Sequence, residues 1–204
     1  MLRIAQCITA SAVPLGLVIG SASAQAPADS ARSRYTAADV AFMQGMIAHH
    51  AQAVEMAALV AARSAREDMH LLAQRIDVSQ RDEIATMQRW LRSRHQEAPG
   101  LDATHEHHNP AGHPMLMPGM LTPEEMAALA AASGPGFEQL FLQGMIKHHE
   151  GALKMVADLL ASRGAAQEPQ IFGFASDVDA DQRAEIARMR AMLDAYPTVK
   201  REPR

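Results

Sequence analysis

The sequence is poor in cysteine and in aromatic residues. Its 204 residues include one cysteine, Cys7, and 4% Phe, Trp and Tyr. Cys7 lies inside an apolar segment near the N-terminus, so the rest of the chain offers no thiol for a disulfide, a thiolate metal site or a nucleophile. The missing C-x-x-C-H motif excludes a covalently attached c-type haem. Any soft metal ligand beyond the N-terminal segment must therefore be methionine.

The chain also lacks an excess of basic residues and any strand pattern. Its formal net charge is −4 with histidines counted as neutral, which favours neither nucleic acid nor an anionic membrane surface as a partner. Alternation of apolar and polar residues is not found over any length, whereas helical spacing recurs along the chain. We therefore expect an all-α protein with no nucleic-acid partner.

The first 24 residues have the pattern of a secretory signal peptide. Arg3 supplies the positive start, residues 4–20 form an apolar run, and Ala22-Ser23-Ala24 is a small-residue cleavage site. A membrane anchor is the less favoured alternative, because the run is short and contains Pro14. We expect residues 1–24 to be removed, the protein to be exported to the periplasm, and no membrane insertion to follow cleavage.

The main feature of the remaining chain is an internal repeat. Residues 42–56 read F-M-Q-G-M-I-A-H-H-A-Q-A-V-E-M, and residues 141–155 read F-L-Q-G-M-I-K-H-H-E-G-A-L-K-M. At helical spacing each copy carries Met, His and Met on one face. Methionine is also a common core residue, but two adjacent histidines cannot both enter an apolar core without polar partners. We therefore predict metal ligands at Met43, Met46, His49, His50, Met56, Met145, His148, His149 and Met155.

A second duplicated pattern follows each copy of the first. Q-x-x-E-I-x-x-M stands at residues 80–87 and again at residues 182–189. A stripe meant only for packing would not contain Glu83 and Glu185. These two residues are predicted either to hydrogen-bond the outer nitrogen of a ligating histidine or to bind metal directly. The alternative is a boundary position whose head group reaches water.

These patterns predict two helical hairpins. The first hairpin spans residues 36–95, with helices at about 36–63 and 67–94, a Thr36 N-cap and a capping box at Ser64 to Glu67. A linker follows at 96–121. Residues 122–196 hold a short helix opened by Thr122-Pro123 and a second hairpin with helices at about 136–163 and 169–195. The expected fold is a four-helix bundle over residues 36–196 with approximate two-fold symmetry.

The linker has a composition of its own. Proline and glycine are too frequent in it for a helix, and histidine and methionine crowd residues 105–120, a bias typical of metal-binding tracts. Its M-x-M-x-x-M run is expected to expose thioethers on a flexible segment. The candidate ligands here are His105, His107, His108, His113, Met115, Met117 and Met120.

Copper is the metal that best matches this donor set. Thioether sulfur is soft and favours Cu(I), while imidazole suits copper, zinc, iron and nickel. We expect mainly Cu(I), with the linker histidines able to take Cu(II). A di-iron centre matches less well, because it needs Glu-x-x-His pairs and four carboxylates, and only Glu83 and Glu185 stand at inward positions. A b-type haem held by one His and one Met stays open, but it would leave the duplicated His-His unexplained.

The paired motifs M-I-x-H-H-x-x-A-x-x-M and Q-x-x-E-I-x-x-M resemble those of the CopM-type copper-binding proteins, a family long known only as a domain of unknown function. The resemblance covers about residues 36–195. It implies a ferritin-like helical bundle, export, copper resistance or delivery, and ligands among Met46, His49, His50 and Met56 and their counterparts in the second copy. Leu142 stands where the first copy has Met43, and Lys147 precedes His148, so the resemblance implies a second site of different shape.

Three functions compete at this point. The first is an exported, non-catalytic protein that buffers, sequesters or delivers copper, with a copper-accepting or exporting protein as partner. The second is a bundle metalloenzyme that oxidises a metal ion or handles reactive oxygen, using the histidines and glutamates. The third is an interaction module with a histidine pH switch. Two hairpins on a long linker also allow a swapped homodimer.

Overall fold

The computed structural model describes residues 35–100 and 116–196. The predicted signal peptide and the predicted ligands His105, His107, His108, His113 and Met115 lie outside these residues. The described part contains helices and no strand, which confirms the predicted all-α class. None of its helices is long and apolar enough to cross a membrane. The helices are α1 (Ala37–Ala58), α2 (Val60–Arg63), α3 (Glu67–Arg92), α4 (Pro123–Ala131), α5 (Gly134–Ala161) and α6 (Pro169–Asp194).

The four long helices form a bundle with two apolar clusters. Helix α1 packs against α3 and α5, and α5 packs against α6. Residues 42–47 of α1 join residues 152–159 of α5 in the first cluster. Residues 53–57 of α1 join residues 137–145 of α5 in the second. Helices α1 and α5 are therefore antiparallel, and the stretch between the two clusters contains both histidine pairs.

The helix starts at Thr36 and Thr122 are as predicted. Each threonine side chain accepts from the backbone N–H three residues on, at Asp39 or Glu125, and that residue's carboxylate accepts from the threonine N–H. Such reciprocal capping satisfies two N–H groups that lack a partner within the helix. Asp39 also accepts from the backbone N–H of Ala166 at 2.7 Å, so the start of α1 is tied to the α5–α6 turn.

The first helical segment ends at Arg63 as predicted but contains a break, and the predicted capping box after it is wrong. Helix α1 ends at Ala58, and α2 follows a break at Leu59. The N-cap of α3 is Arg66, without a side-chain cap. The hydroxyl of Ser64 donates instead to the buried carboxylate of Glu138 on α5, at 2.6 Å. A tertiary hydrogen bond has thus replaced the local one that the sequence pattern suggested.

The end of the predicted flexible linker is packed against the bundle. We call residues 116–121 the strap. The Gln52 amide donates to the Leu121 carbonyl at 3.0 Å and accepts from the Leu121 N–H at 2.8 Å. Gly119 has φ +77, and a Cβ on Gly151 would lie 1.9 Å from the Pro118 oxygen. Glycine at these positions lets two backbones meet, so this part of the linker is held in place.

The predicted exposure of the strap methionines is therefore wrong. Met117 is half-buried, and Met120 is only 5% exposed. Both side chains turn toward the bundle because the backbone of the strap is fixed against Gly151 and Gln52. Met115, the third methionine of the run, lies outside the described residues.

Candidate metal centre

The four repeat histidines form a buried layer between the two apolar clusters. His49, His50, His148 and His149 each have 0% exposure. They stand on α1 and α5, the central pair of helices, where the antiparallel packing brings the two copies of the motif together. The rings of His49 and His148 lie with centroids 3.8 Å apart. The duplicated motif therefore forms one continuous imidazole cluster rather than two separate ones.

The second histidine of each pair contacts a glutamate of the flanking helix. His50 Nε2 lies 2.5 Å from Glu83 Oε2, and His149 Nε2 lies 2.6 Å from Glu185 Oε2. Of the two roles considered for these glutamates, the structure shows the hydrogen bond to a histidine. A carboxylate that accepts from one ring nitrogen fixes the tautomer and makes the other nitrogen a better metal ligand.

The first histidine of each pair donates to a backbone carbonyl. His148 Nε2 lies 3.0 Å from the His49 carbonyl oxygen. Under strict two-fold symmetry His49 would donate to the His148 carbonyl. Its Nε2 instead lies 3.0 Å from the carbonyl oxygen of Pro118 in the strap. The strap thus makes the two copies inequivalent at this position.

In the described part of the chain, one nitrogen of each of the four rings has no hydrogen-bond partner. The atoms that face Nε2 are carbonyl or carboxylate oxygens, so Nε2 is the donor and Nδ1 carries the lone pair in the neutral ring. No Nδ1 atom of the four has a hydrogen-bond partner within the described residues. A buried polar atom left in this way costs about 1–3 kcal/mol. The lone pair on a neutral imidazole nitrogen is a common metal ligand, so each of these rings offers one candidate donor atom.

Burial keeps the inner histidines neutral. Desolvation, and after it the charge of His50, lowers the pKa of His49 to about 3. Desolvation, followed by the charge of His49, lowers the pKa of His148 well below its usual range. Metal binding requires a deprotonated ligand nitrogen. These two rings meet that requirement at neutral pH.

Negative charge lies on the outer side of the histidine layer. Asp181 is exposed on α6, and its pKa is raised by burial first and then by Glu83 and Glu185. The three carboxyl groups are therefore close enough to interact. Their field favours a cation at the edge of the layer.

Two amides add to the polar layer. Gln80 is 0% exposed and Gln182 is 2% exposed. Neither side-chain polar atom of Gln80, nor Oε1 of Gln182, has a partner in the described part of the chain. Each amide precedes the paired glutamate by three residues, so it lies one helical turn from it. The duplicated Q-x-x-E pattern thus places both its polar residues in or beside the layer.

The predicted methionine ligands lie on both sides of the layer. Met43 and Met46 belong to the first apolar cluster, with Met155 packed against it, and Met56 and Met145 belong to the second. Within residues 35–100 and 116–196, no three His, Asp or Glu side chains form a ready metal-binding group. Because the described residues contain no cysteine, the soft donors that could complement imidazole nitrogen are thioethers.

The sequence interpretation missed the residues that position the strap. The backbone of Pro118 holds His49, Gln52 holds Leu121, and Gly151 admits the strap to α5. One signal could have found them. Gly45 and Gly144 are glycines at matching repeat positions in helix interiors, and Gly151 adds a third in the second copy. Interior glycine weakens a helix and often marks a close approach.

The fold and this layer define an all-helical class of protein in which two duplicated hairpins surround buried histidines. In each hairpin a glutamate on the flanking helix accepts a hydrogen bond from one of these histidines. A comparison with curated proteins gives no match. The sequence pattern of DUF305, a domain of unknown function, matches residues 39–193. The chain therefore belongs to the DUF305 family.

Solved structures with this fold include three relatives. A DUF305 fragment from Deinococcus radiodurans is 30% identical, with a TM-score of 0.66 over 79% of this chain and 99% of that one. A DUF305 protein from Streptomyces coelicolor that is predicted to be secreted is 29% identical, with a TM-score of 0.65 over 77% and 92%. CopM in its Cu(II)-bound form is 25% identical, with a TM-score of 0.59 over 78% and 97%. The CopM-type resemblance is thus a distant structural one within a shared fold.

Proposed function

We propose that this protein binds copper, Cu(I) in the first place, through the imidazole layer and the methionines beside it. The observation that carries the proposal is the set of four buried histidines whose Nε2 atoms are all engaged and whose Nδ1 atoms lack a partner among the described residues. Imidazole next to thioether and without thiolate suits copper better than magnesium, calcium or structural zinc.

The comparisons support the choice of metal. CopM has been solved in Cu(II)-bound, Cu(I)-bound and Ag-bound forms. Silver(I) is a soft monovalent ion like Cu(I), and thioether and imidazole donors suit both ions. The duplicated His-His motif with flanking methionines gives the present chain donors of the same kinds.

The proposed role is buffering, sequestration or delivery of copper outside the cytoplasm. The sequence pattern of residues 1–24 and the Streptomyces relative that is predicted to be secreted support export. Periplasmic copper would then be held by neutral donors, which exchange an ion more readily than thiolates do. A copper-accepting or exporting protein is the partner that such a role requires.

A metalloenzyme is the competing proposal. Here Glu83 and Glu185 each accept from a histidine, as outer partners of a binding site do. An enzyme would instead need an open coordination position and turnover. Oxygen consumption by the copper-loaded protein in the presence of Cu(I) or Fe(II) would support the enzyme proposal over the binding proposal.

The test is an anaerobic competition titration of the purified protein with Cu(I) against a chromogenic Cu(I) chelator, with Zn(II) titrated in parallel. Tight Cu(I) binding with weak zinc binding is the expected result. His70→Gln is the control for histidine substitutions in the layer. It should bind Cu(I) as the wild-type protein does, because His70 is exposed on α3 and outside the layer. Preference for zinc, or no binding, would contradict the proposal.

A further inference from the structure

Two glycines of the repeat contact methionines in a reciprocal way. Gly45 and Gly144 occupy the same position in the two copies, as Met56 and Met155 do. A Cβ on Gly45 would lie 3.5 Å from Met155 Cε, and one on Gly144 would lie 3.4 Å from Met56 Cε. Each glycine therefore makes room for the thioether that ends the other copy of the motif.

The strap adds a different residue at each glycine. The Met117 sulfur lies 3.3 Å from the Cβ position of Gly45, whereas Leu121 Cδ2 lies 3.2 Å from that of Gly144. Met117 Sδ and Met155 Cε thus lie within 3.3 and 3.5 Å of the same point. The Gly144 side offers the same arrangement with one thioether and one leucine. Only the Gly45 side brings two soft donors together.

The surroundings of the Gly45 side suit a soft ion. Both Met117 and Met155 are half-buried, so an ion can reach them from the surface. His49 follows Gly45 by one helical turn on the same face of α1, and the residue after Met117 accepts the hydrogen bond from its Nε2. The Nδ1 of His49 has no partner within the described residues. The strap therefore brings a second sulfur to the one histidine that it also orients.

We propose that Met117 and Met155 form a thioether site over Gly45 for a soft monovalent cation, Cu(I) or Ag(I), with His49 as the neighbouring nitrogen donor. This inference rests on the proposed function in naming copper as the natural ion. The matching position over Gly144 is not a site of this kind, because Leu121 replaces the second sulfur. The two halves then differ in their soft donors, and the strap is the cause.

The test is methyl NMR of the purified protein labelled with ¹³C at the methionine methyl groups, with Ag(I) as a diamagnetic probe. The first equivalent should shift two methyl resonances, which Met117→Leu and Met155→Leu assign. Met117→Leu should remove one equivalent of bound silver, and Gly45→Ala should weaken binding because its Cβ displaces the Met117 sulfur. Met126→Leu is the control, since Met126 is half-buried on α4, is not a predicted ligand and is not in contact with Gly45.

The thioether site and the proposed function can fail separately. Unchanged stoichiometry in Met117→Leu and Met155→Leu, with copper still bound tightly, would overturn the thioether site and leave the proposed function standing. If no copper or silver binds to the wild-type protein, the proposed function fails as well.

Discussion

The two hairpins treat the second histidine of each pair alike and the first one differently. His50 and His149 each donate to the glutamate of the flanking helix, at 2.5 and 2.6 Å. His148 donates to a carbonyl of α1, whereas His49 donates to the strap. The hydrogen bonds that form within each hairpin, from His50 to Glu83 and from His149 to Glu185, are therefore the same in both copies. The asymmetry comes from the one segment that the repeat does not contain.

The difference shows how a duplicated motif acquires two unequal sites. The matching positions Gln52 and Gly151 hold the strap in two ways, by two amide hydrogen bonds at one and by backbone contact at the other. The strap can therefore lie across the symmetric bundle in one orientation only. Met117 then meets the first copy and Leu121 meets the second.

The largest effect is expected from removing the inner histidine of both copies. His49→Gln together with His148→Gln should abolish most tight Cu(I) binding, because it removes two of the four free imidazole nitrogens. Helicity should stay largely intact, since glutamine is a good helix former. Chelator competition and far-UV circular dichroism check the two parts. An unfolded variant, or one that binds copper normally, would refute the assignment.

The matching core positions Leu91 and Leu193 should respond unequally. Leu91 is 0% exposed, so Leu91→Ala should cost about 2–5 kcal/mol of unfolding free energy. Leu193 is only half-buried near the end of α6, and Leu193→Ala should cost clearly less. Urea unfolding of the metal-free variants measures both. Equal costs would contradict the difference in packing between the two halves.

Moving the strap should affect one half only. Gly151→Ala places a Cβ 1.9 Å from the Pro118 oxygen, so the strap must shift, at a cost of about 1–3 kcal/mol. The variant should lose the hydrogen bond from His49 and keep the one between His149 and Glu185. Gly136→Ala is the control, since no neighbour within 4 Å meets its Cβ among the described residues. Histidine ring NMR distinguishes the two outcomes.

The two glutamates should be equivalent in effect. Glu83→Gln and Glu185→Gln each keep the shape but weaken the hydrogen bond that holds a histidine ring. Loss of such an outer partner lowers metal affinity about 10–100-fold. Chelator competition measures the copper affinity of each variant. If only one substitution weakens copper binding, the glutamates differ in role, and direct coordination by that residue becomes the better account.

Acid should destabilise the metal-free protein. The unfolded chain binds a proton at His49 below pH 6.5, while the folded chain does so only near pH 3. The unfolded state therefore holds more protons in this window, and stability is lost as the pH falls through it, by about 1.4 kcal/mol per pH unit for each such histidine. Urea unfolding between pH 7 and pH 4 measures the slope. His49→Gln should flatten it.

The sequence predicted which residues face inward, because that follows from the helical period. The spacing of Met46, His49 and Ala53 placed the histidines on an inward face, and the stripe that contains Q-x-x-E placed Glu83 on the inward side of its helix. Both follow from residues three and four apart lying together on a helix. Binding of metal by these residues stays a prediction.

The contacts that break the symmetry could not be predicted in this way. His49 meets Pro118, and Gln52 meets Leu121, 69 positions further along the chain in both cases. No periodicity links such residues, and the proline and glycine of the strap pointed to a free linker. The local capping pattern at Ser64 failed as well, because the N-cap of α3 is Arg66. The Ser64 hydroxyl donates to Glu138 on another helix and accepts from the Arg66 N–H.

The central claim is that the four Nδ1 lone pairs are the nitrogen donors of the copper site. The most direct test is ¹⁵N NMR of the histidine rings as Ag(I) or Cu(I) is added without oxygen. We expect Nε2–H tautomers for all four histidines in the metal-free protein, and metal-induced shifts at Nδ1 while the Nε2–H signals persist. Shifts at Nε2 with loss of its proton, or no change in any of the four rings, would contradict the claim.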